Sequence, residues 1–340
     1  MQNTRYAVPA VKWFAVVSLA AALSACGGGG DGGTSSSTNG SSGGTSGSPS
    51  QTVTGTVSTP QYTSASAQLA AFNLLNNYRT QCGFPALQEN TVLDQAAQNH
   101  AKYMGLNNAV SDTETSGSAG FTGTSYQARA VAAGFPNTSN TGGVSSVYST
   151  LTSSFTSTQA GQNLMYSWLT GVYHLGTVVF PITTIGIGEY ENTVVSGGFN
   201  WTQAWGTLTL SNPQSQAISN GPLTFPCAGV TGVPYKSTAE SPTPPNVSGS
   251  GWGTPVVVMG NSSDTIVLQS ASMTGPSGNV ALQILNSTSD PNKQIQPYQA
   301  VAYPTSPLLP NTQYSVTLTG TVNGTAYSRN FTFTTGNVVG

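Results

Sequence analysis

The side chains best suited to acid–base or metal chemistry are two histidines, His100 and His174, in a chain of 340 residues. His100 lies on an apolar stripe of helical period with Leu93, Ala97 and Met104, which predicts a buried, hydrogen-bonded core histidine. Because zinc sites need three or four protein ligands, two histidines nearly exclude a histidine-rich metal site. Beyond the Gly/Ser-rich segment the chain has no G-x-S-x-G, phosphate-binding loop or dinucleotide motif, so no cofactor is predicted.

The first cysteine carries a targeting signal. A short basic start precedes an apolar run over residues 13–23, which is too short to span a membrane but typical of a signal peptide. The run ends in Leu23-Ser24-Ala25-Cys26, which resembles the bacterial lipobox. We therefore predict a lipoprotein signal peptide over residues 1–25 and acylation of Cys26, with Gly27 favouring the outer membrane. The alternative is a plain signal peptide with an incidental cysteine.

The two remaining cysteines, Cys82 and Cys227, would meet an oxidising environment outside the cytoplasm. We expect them to form a disulfide, with two free thiols as the alternative. Such a bridge closes a long loop, which in the chain-entropy model stabilises the fold by about 5 kcal/mol.

The composition excludes several classes of protein. Lys and Arg number 8 and Asp and Glu 10, so only 5 % of the residues are charged. Nucleic-acid binding requires clustered basic side chains and is therefore not expected. Residues 26–65 are rich in Gly, Ser and Thr and predict a flexible tether, the alternative being an ordered repeat.

Helical and strand patterns follow each other over residues 66–228. Ser66 is placed to cap a first helix that ends near Gly83, and further helical patterns cover residues 93–104, 126–131 and 164–169. Residues 183–190 and 201–208 then alternate with the period of strands. Helices followed by strands predict an α+β domain with helices packed on an antiparallel sheet.

The rest of the chain predicts a second domain. Residues 229–246 are rich in proline and predict a linker, and residues 247–340 contain six or seven short strand patterns. The predicted architecture is an all-β sandwich. The run over residues 309–316 resembles bacterial Ig-like or fibronectin-type modules, a resemblance that implies a strand-corner position for Tyr314.

Five stretches of the first domain resemble, in order, the bacterial branch of the CAP superfamily (cysteine-rich secretory, antigen 5, pathogenesis-related 1). They are residues 74–87, 93–104, 123–135, 173–188 and 201–206, which include R-A-x-A-A-G-F and W-T-Q-x-x-G sequences. The resemblance implies an α-β-α sandwich with an open cleft. In the family, two histidines and two glutamates line this cleft and can hold a divalent metal.

This chain departs from that pattern. His174 matches one family histidine, whereas Asp112 stands where the other is expected and Val144 replaces a glutamate. Asp112 and Glu114 remain as cleft candidates beside His174, but one imidazole with two carboxylates makes a weak zinc site. We therefore predict no metal site and no catalytic residue.

The function expected from these features is binding or adhesion by a membrane-anchored protein that faces the periplasm or the cell surface. Its partners would be the membrane, through lipid, and an envelope or extracellular protein, glycan or lipid. The alternatives are a hydrolase that uses His174 with Asp112 or Glu114, and a carrier of a sterol or fatty ligand. Trp168, Trp201 and Trp205 are expected in the core, with a ligand-stacking surface as the alternative.

Overall fold

A computed structural model describes residues 54–137, 140–151, 155–212 and 216–340 of the chain. The predicted signal peptide (residues 1–25), Cys26 and the tether as far as residue 53 lie outside the described residues. Within the described residues, no helix has the length and apolar character needed to cross a membrane.

The predicted helices are present in the first domain. Ser66 caps α1, since its hydroxyl accepts a hydrogen bond from the Leu69 amide at 3.1 Å. Asn90 caps the next helix in the same way, through the Val92 and Leu93 amides. The helices are α1 (Ala67–Gln81), α2 (Thr91–Asn107), α3 (Tyr126–Ala132), α4 (Ser157–Thr170) and α5 (His174–Val178).

These helices surround one four-stranded sheet of order β1-β3-β4-β2. Its strands are β1 (Gln88–Glu89), β2 (Thr141–Thr150), β3 (Thr184–Ser196) and β4 (Phe199–Ser211). The two strands predicted from alternating patterns are present as β3 and β4, which pair antiparallel as a hairpin. Strand β2 is not predicted by the sequence, because its run of Gly, Ser and Thr has little apolar alternation.

Glycines allow a helix to approach each face of this sheet closely. A Cβ atom on Gly188 of β3 would lie 2.2 Å from the Ala97 backbone in α2. On the other face, a Cβ atom on Gly206 of β4 would lie 2.5 Å from the Leu164 side chain in α4. Helices therefore cover both faces, and the predicted α-β-α sandwich is confirmed.

The C-terminal part is a sandwich of two sheets, as predicted for an Ig-like module. Its strands are β5 (Leu223–Phe225), β6 (Thr231–Val233), β7 (Val256–Met259), β8 (Ile266–Gly275), β9 (Gly278–Val280), β10 (Leu282–Asn286), β11 (Gln299–Pro304), β12 (Gln313–Val322) and β13 (Thr325–Thr335). The sheet orders are β10-β11-β7-β5 and β6-β13-β12-β8-β9. Tyr314 holds the expected corner, since its hydroxyl accepts from the Leu309 amide at 2.8 Å.

The boundary between the domains differs from the prediction. The predicted boundary at residue 228 places β5 in the first domain, but β5 pairs with β7 of the sandwich. The predicted linker over residues 229–246 contains β6, which pairs in parallel with β13. Phe225, Val230 and Val233 are buried, and the same apolar core continues through both domains. The segment is therefore packed structure.

The predicted disulfide is confirmed. Cys82, which follows α1, is bonded to Cys227, which follows β5, with 5.5 Å between their Cα atoms. Because β5 belongs to the sandwich, the disulfide connects the α-β-α domain to the second domain. The expected flexible tether also ends earlier than residue 65, since Thr56 forms a bridge with Asn90.

Candidate functional site

Glu114, one of the cleft candidates, is buried against His100 of α2. The Nδ1 atom of His100 lies 2.9 Å from Glu114 Oε1, and Nε2 lies 2.7 Å from the Ser111 carbonyl oxygen. Both side chains have no exposed surface. His100 is therefore the buried, hydrogen-bonded core histidine that its helical position predicted.

The other contacts of Glu114 hold the loop between α2 and α3. Glu114 Oε2 accepts hydrogen bonds from the Thr122 and Gly123 amides, and the Arg129 Nε atom lies 3.9 Å from Oε1. Burial favours the neutral acid, but the bonds from His100, Thr122 and Gly123 outweigh it and lower the pKa of Glu114. The carboxylate thus satisfies the donors of a folded loop and has no exposed surface for a substrate.

Asp112 belongs to a second network, on the sheet face that α3 covers. Its Oδ1 atom accepts from the Tyr126 hydroxyl at 2.7 Å, and that hydroxyl lies 2.8 Å from Ser145 Oγ. Ser145 in turn contacts Thr207 Oγ1 at 3.2 Å. Burial and the nearby Asp112 carboxylate hold the pKa of Tyr126 well above its usual range. Asp112 therefore orients the Tyr126 hydroxyl.

His174 lies at the first position of α5, close to the second domain. Its Nδ1 atom is 3.2 Å from Oε1 of Glu240, a residue of the predicted linker. The Glu240 carboxylate has no exposed surface and accepts hydrogen bonds from the Val172, Tyr173 and His174 amides at 2.7, 2.9 and 2.9 Å. Burial raises the pKa of Glu240, while His174 and these amides oppose the increase.

The segment around His174 is fixed from both domains. Arg79 of α1 is fully buried and donates to the carbonyl oxygens of Val178, Phe180 and Ile182 at 2.9, 2.8 and 2.9 Å. From the sandwich, Trp252 Nε1 donates to the Thr170 carbonyl oxygen at 2.8 Å. Because rigid contacts surround it, His174 has a defined position at the interface between the domains.

Tyr173 adds a polar contact to the same interface. Its hydroxyl donates to Asp290 Oδ1 at 3.1 Å and accepts from Asn292 Nδ2 at 2.8 Å. Both partners lie between β10 and β11 of the sandwich. Side chains of the second domain therefore contact two consecutive residues of this turn, Tyr173 and His174.

Each of the three cleft candidates has its own partner within the protein. In the part of the chain that the structure describes, no ion pair joins His174 to Asp112 or Glu114. Over the same residues, no group of three or more His, Cys, Asp or Glu side chains could hold a metal ion. Val144 is buried and offers no donor atom. The residues present do not fit the divalent metal of the family cleft.

The partners of the two histidines, Glu240 and Glu114, were not predicted from the sequence. Glu240 lies in a Pro-rich stretch 66 residues after His174, and nothing in its neighbourhood marks it as a buried acid. The partner of His100 could have been found from the sequence, because Glu114 is an acid only 14 residues further along the chain, after a predicted helix. Trp168 and Trp205 are fully buried, which confirms their predicted core role, whereas Trp201 is half-buried.

A family model matches the first domain. Residues 72–204 match the model of the Cysteine-rich secretory protein family, CAP, so this part of the chain is a CAP domain. The solved structure of an outer surface protein from Borrelia burgdorferi resembles the chain at 13 % identity with a TM-score of 0.28. That match covers 42 % of this chain and 91 % of that chain, and it carries no functional argument. No curated protein matches the sequence.

Proposed function

We propose that the chain is a lipid-anchored protein of the bacterial envelope whose CAP domain and Ig-like module form one non-catalytic binding unit. The observation that carries this proposal is the pairing of His174 with Glu240 across the domain interface, at 3.2 Å. The carboxylate in this pair is fully buried and also accepts three backbone amides, so it ties Nδ1 of His174 to the domain interface.

The neighbouring groups support the same proposal. A hydrolase needs an acid and a base within reach of one reacting atom. Glu114 is committed to His100 and to the loop amides, and Asp112 accepts from Tyr126. A carboxylate with these partners positions protein groups, so each candidate acts as a structural residue.

The outer face of the five-stranded sheet suits binding by hydrogen bonds. Thr317 of β12 is exposed and pairs with Ser272 of β8 and Asn330 of β13, which are exposed as well. In the adjacent rows, Ser315 lies between Thr274 and Thr332, and Thr319 lies between Ser270 and Ser328. No charged residue occurs in these three rows, which supports contact with an uncharged partner.

Lipid anchoring rests on the lipobox ending in Cys26. We expect the wild-type chain to fractionate with outer membranes and to float with lipid, because several acyl chains on one residue give stable attachment. Cys26→Ser should leave an uncleaved or soluble protein, since the lipid donor requires the thiol. A Cys26→Ser chain that still floats with outer membranes would exclude this anchor.

The binding role is tested with the purified full chain. In an activity assay, peptide and ester substrates should not be hydrolysed. In a binding assay, polysaccharide, lipid vesicles and extracellular matrix protein are each immobilised on a separate surface. We expect at least one surface to bind the chain and Thr317→Lys to weaken that binding about tenfold. Gln95→Lys, on the exposed face of α2, is the control and should bind as wild type. If the wild-type chain hydrolyses one of these substrates and His174→Ala does not, the binding role is wrong and the chain is a hydrolase.

A further inference from the structure

The far end of the β3–β4 hairpin projects beyond the neighbouring strand of its sheet. The last residue of β2, Thr150, pairs with Thr202, whereas the hairpin continues by pairing residues 194–196 with residues 199–201. None of residues 194–201, here called the ribbon, is buried. Its turn consists of two glycines at positions 197 and 198, whose φ angles of 59° and 79° glycine adopts without strain. The ribbon is therefore a narrow two-stranded projection.

Apolar side chains of this region face water. Val195 is 75 % exposed and Phe199 is 50 % exposed, and Leu151, which follows β2, is 52 % exposed. Leu151 and Phe199 line one recess of about 410 Å³ together with Asn200, the residue that pairs with Val195. The three apolar side chains therefore belong to one continuous surface. Such surfaces mark interaction sites, because apolar groups gain free energy when they leave water.

This surface has no charged neighbour close to it along the chain. Residues 130–188 and 192–235, which contain β2, the ribbon and β4, include no Asp, Glu, Lys or Arg. The charged residue nearest to the ribbon in sequence is Glu191, which is exposed. An uncharged surface bordered by an acid favours an uncharged or zwitterionic partner and opposes an anionic one.

The small size of the ribbon favours a lipid surface over a protein. A stable protein interface takes about 20–30 residues from each partner, whereas the ribbon has only eight. A bilayer requires less, because each apolar side chain that enters it is stabilised by its own transfer from water. Insertion is limited to the end of the ribbon, since backbone groups at the open edges of a two-stranded sheet need water.

Trp201 occupies the position that an interfacial aromatic ring would take. It is half-buried, two residues further from the turn than Phe199, and its Nε1 atom donates to the Ser196 carbonyl oxygen at 3.3 Å. The polar group of the ring is thereby satisfied within the ribbon. Tryptophan is enriched at membrane–water interfaces, where one part of the ring is apolar and another is wet.

We propose that the ribbon is a second membrane contact, in which Val195 and Phe199 enter the headgroup region of a zwitterionic bilayer. The proposal rests on the proposed lipid anchor, which keeps a bilayer within reach of the domain. A single attachment through Cys26 leaves the CAP domain free to turn at the membrane. A second contact at the ribbon restricts the orientations that it can take.

The length of chain before the first domain permits this contact. Thr56 bridges to Asn90, whose amide donates to the Ile185 carbonyl oxygen near the start of β3. The ribbon lies at the other end of β3, which at 13 residues is about 40 Å long. Residues 27–53 can extend to about 90 Å, so the ribbon can touch the membrane that holds Cys26.

A fluorescent label beside the apolar side chains tests the contact in the full chain. Asn200→Cys supplies a thiol for an environment-sensitive dye, and phosphatidylcholine vesicles carry a quencher in their headgroup region. We expect the dye emission to shift to shorter wavelength. Quenching should be at least about fivefold stronger than for the same dye on Asn73→Cys, because the ribbon enters the headgroup region. Asn73 is the matched control, since it is an exposed asparagine on α1.

Replacing the apolar side chains should weaken the contact. Val195→Ser combined with Phe199→Ser, in the labelled Asn200→Cys chain, should lower the quenching about tenfold, because serine gains nothing from leaving water. Unchanged quenching in this variant would overturn the membrane contact, as would equal quenching at Asn200→Cys and Asn73→Cys. A signal that appears only when several chains share one vesicle would assign the surface to a second copy and overturn it as well.

The same labelling separates this contact from the anchor. The unsubstituted chain should take up no dye, because Cys82 and Cys227 form a disulfide and Cys26 is proposed to carry lipid. Dye on the unsubstituted chain would contradict the anchor alone. The ribbon is then judged from the difference between Asn200→Cys and Asn73→Cys with added vesicles, where stronger quenching at Asn200→Cys supports the contact and equal quenching overturns it.

Discussion

The Nδ1 atom of His174 lies 3.2 Å from Oε1 of Glu240, and this pair connects the CAP domain to the segment that leads into the β-sandwich. The same carboxylate accepts hydrogen bonds from three consecutive backbone amides at the start of α5, those of Val172, Tyr173 and His174. A residue outside the matched range of 72–204 therefore completes the surroundings of His174.

Removing the charge of Glu240 should loosen this connection. In Glu240→Gln the amide cannot accept from three backbone donors and pair with His174 at once. We expect the free energy of unfolding to fall by about 3 kcal/mol, the usual scale for breaking a buried, hydrogen-bonded charge. Urea unfolding of the full chain measures the change.

Glu191→Gln is the control for Glu240→Gln, because Glu191 is exposed on β3. It should change the free energy of unfolding by less than about 0.5 kcal/mol. Equal stability of Glu240→Gln and the wild type would contradict the role given to the buried carboxylate.

Close approach of α2 to the sheet depends on Gly188. A Cβ atom there would lie 2.2 Å from the Ala97 backbone, so Gly188→Ala must push the helix away. We expect a loss of about 3 kcal/mol in thermal or urea unfolding. Gly142→Ala is the matched control on β2, where the nearest side-chain atom would be 3.9 Å away. Similar stabilities of the two variants would refute this packing role.

Much of the fold could be predicted because its signals are local. The apolar stripe of α2, the Ser66 cap and the alternating β3 and β4 patterns each depend on neighbouring residues. Cys82 and Cys227 could be paired because the remaining cysteine, Cys26, is expected to carry lipid. By contrast, β5 and β6 are three residues each and gain their stability by pairing with distant strands.

The candidate site was harder to predict because each group acquires its role from a distant partner. Glu114 was expected beside His174, but the fold places it against His100 at 2.9 Å. His174 was expected in an open cleft, whereas Glu240 approaches it from the second domain. A Pro-rich composition indicates where a chain avoids regular structure. It does not indicate which side chains of that segment are buried.

Two tyrosines of the sandwich allow the contribution of a hydroxyl hydrogen bond to stability to be distinguished from that of ring packing. Tyr314→Phe removes the acceptor of the Leu309 amide and should cost about 1 kcal/mol in urea unfolding. The Tyr327 hydroxyl is buried and has no hydrogen-bond partner in the described part of the chain. Tyr327→Phe should therefore leave stability unchanged or increase it. Equal losses in the two variants would show that the corner hydrogen bond contributes nothing.

Glu189 should make stability depend on pH. Burial and the neighbouring Glu191 raise the pKa of Glu189 to about 8, and its Oε1 atom is buried without a partner among the described residues. The folded state therefore binds the proton more tightly, and stability falls as pH rises from about 4.5 towards 8.

Glu189→Gln should remove this contribution. Its free energy of unfolding relative to the wild type should rise with pH, by roughly 2 kcal/mol at pH 8 after allowance for partial solvent exposure. Urea unfolding at pH 4, 6 and 8 measures this difference. A difference between the two proteins that stays constant with pH would show that Glu189 titrates normally.

Zinc content tests most directly whether His174 belongs to a structural pair or to a working metal site. The purified full chain and His174→Ala are loaded with zinc, dialysed and analysed by mass spectrometry, with calorimetric titration in parallel. Because Val144 offers no ligand atom and the described residues contain no cluster of three His, Cys, Asp or Glu side chains, both proteins should retain far less than one equivalent and give the same weak titration. One equivalent retained by the wild type and lost in His174→Ala would contradict the non-catalytic binding role.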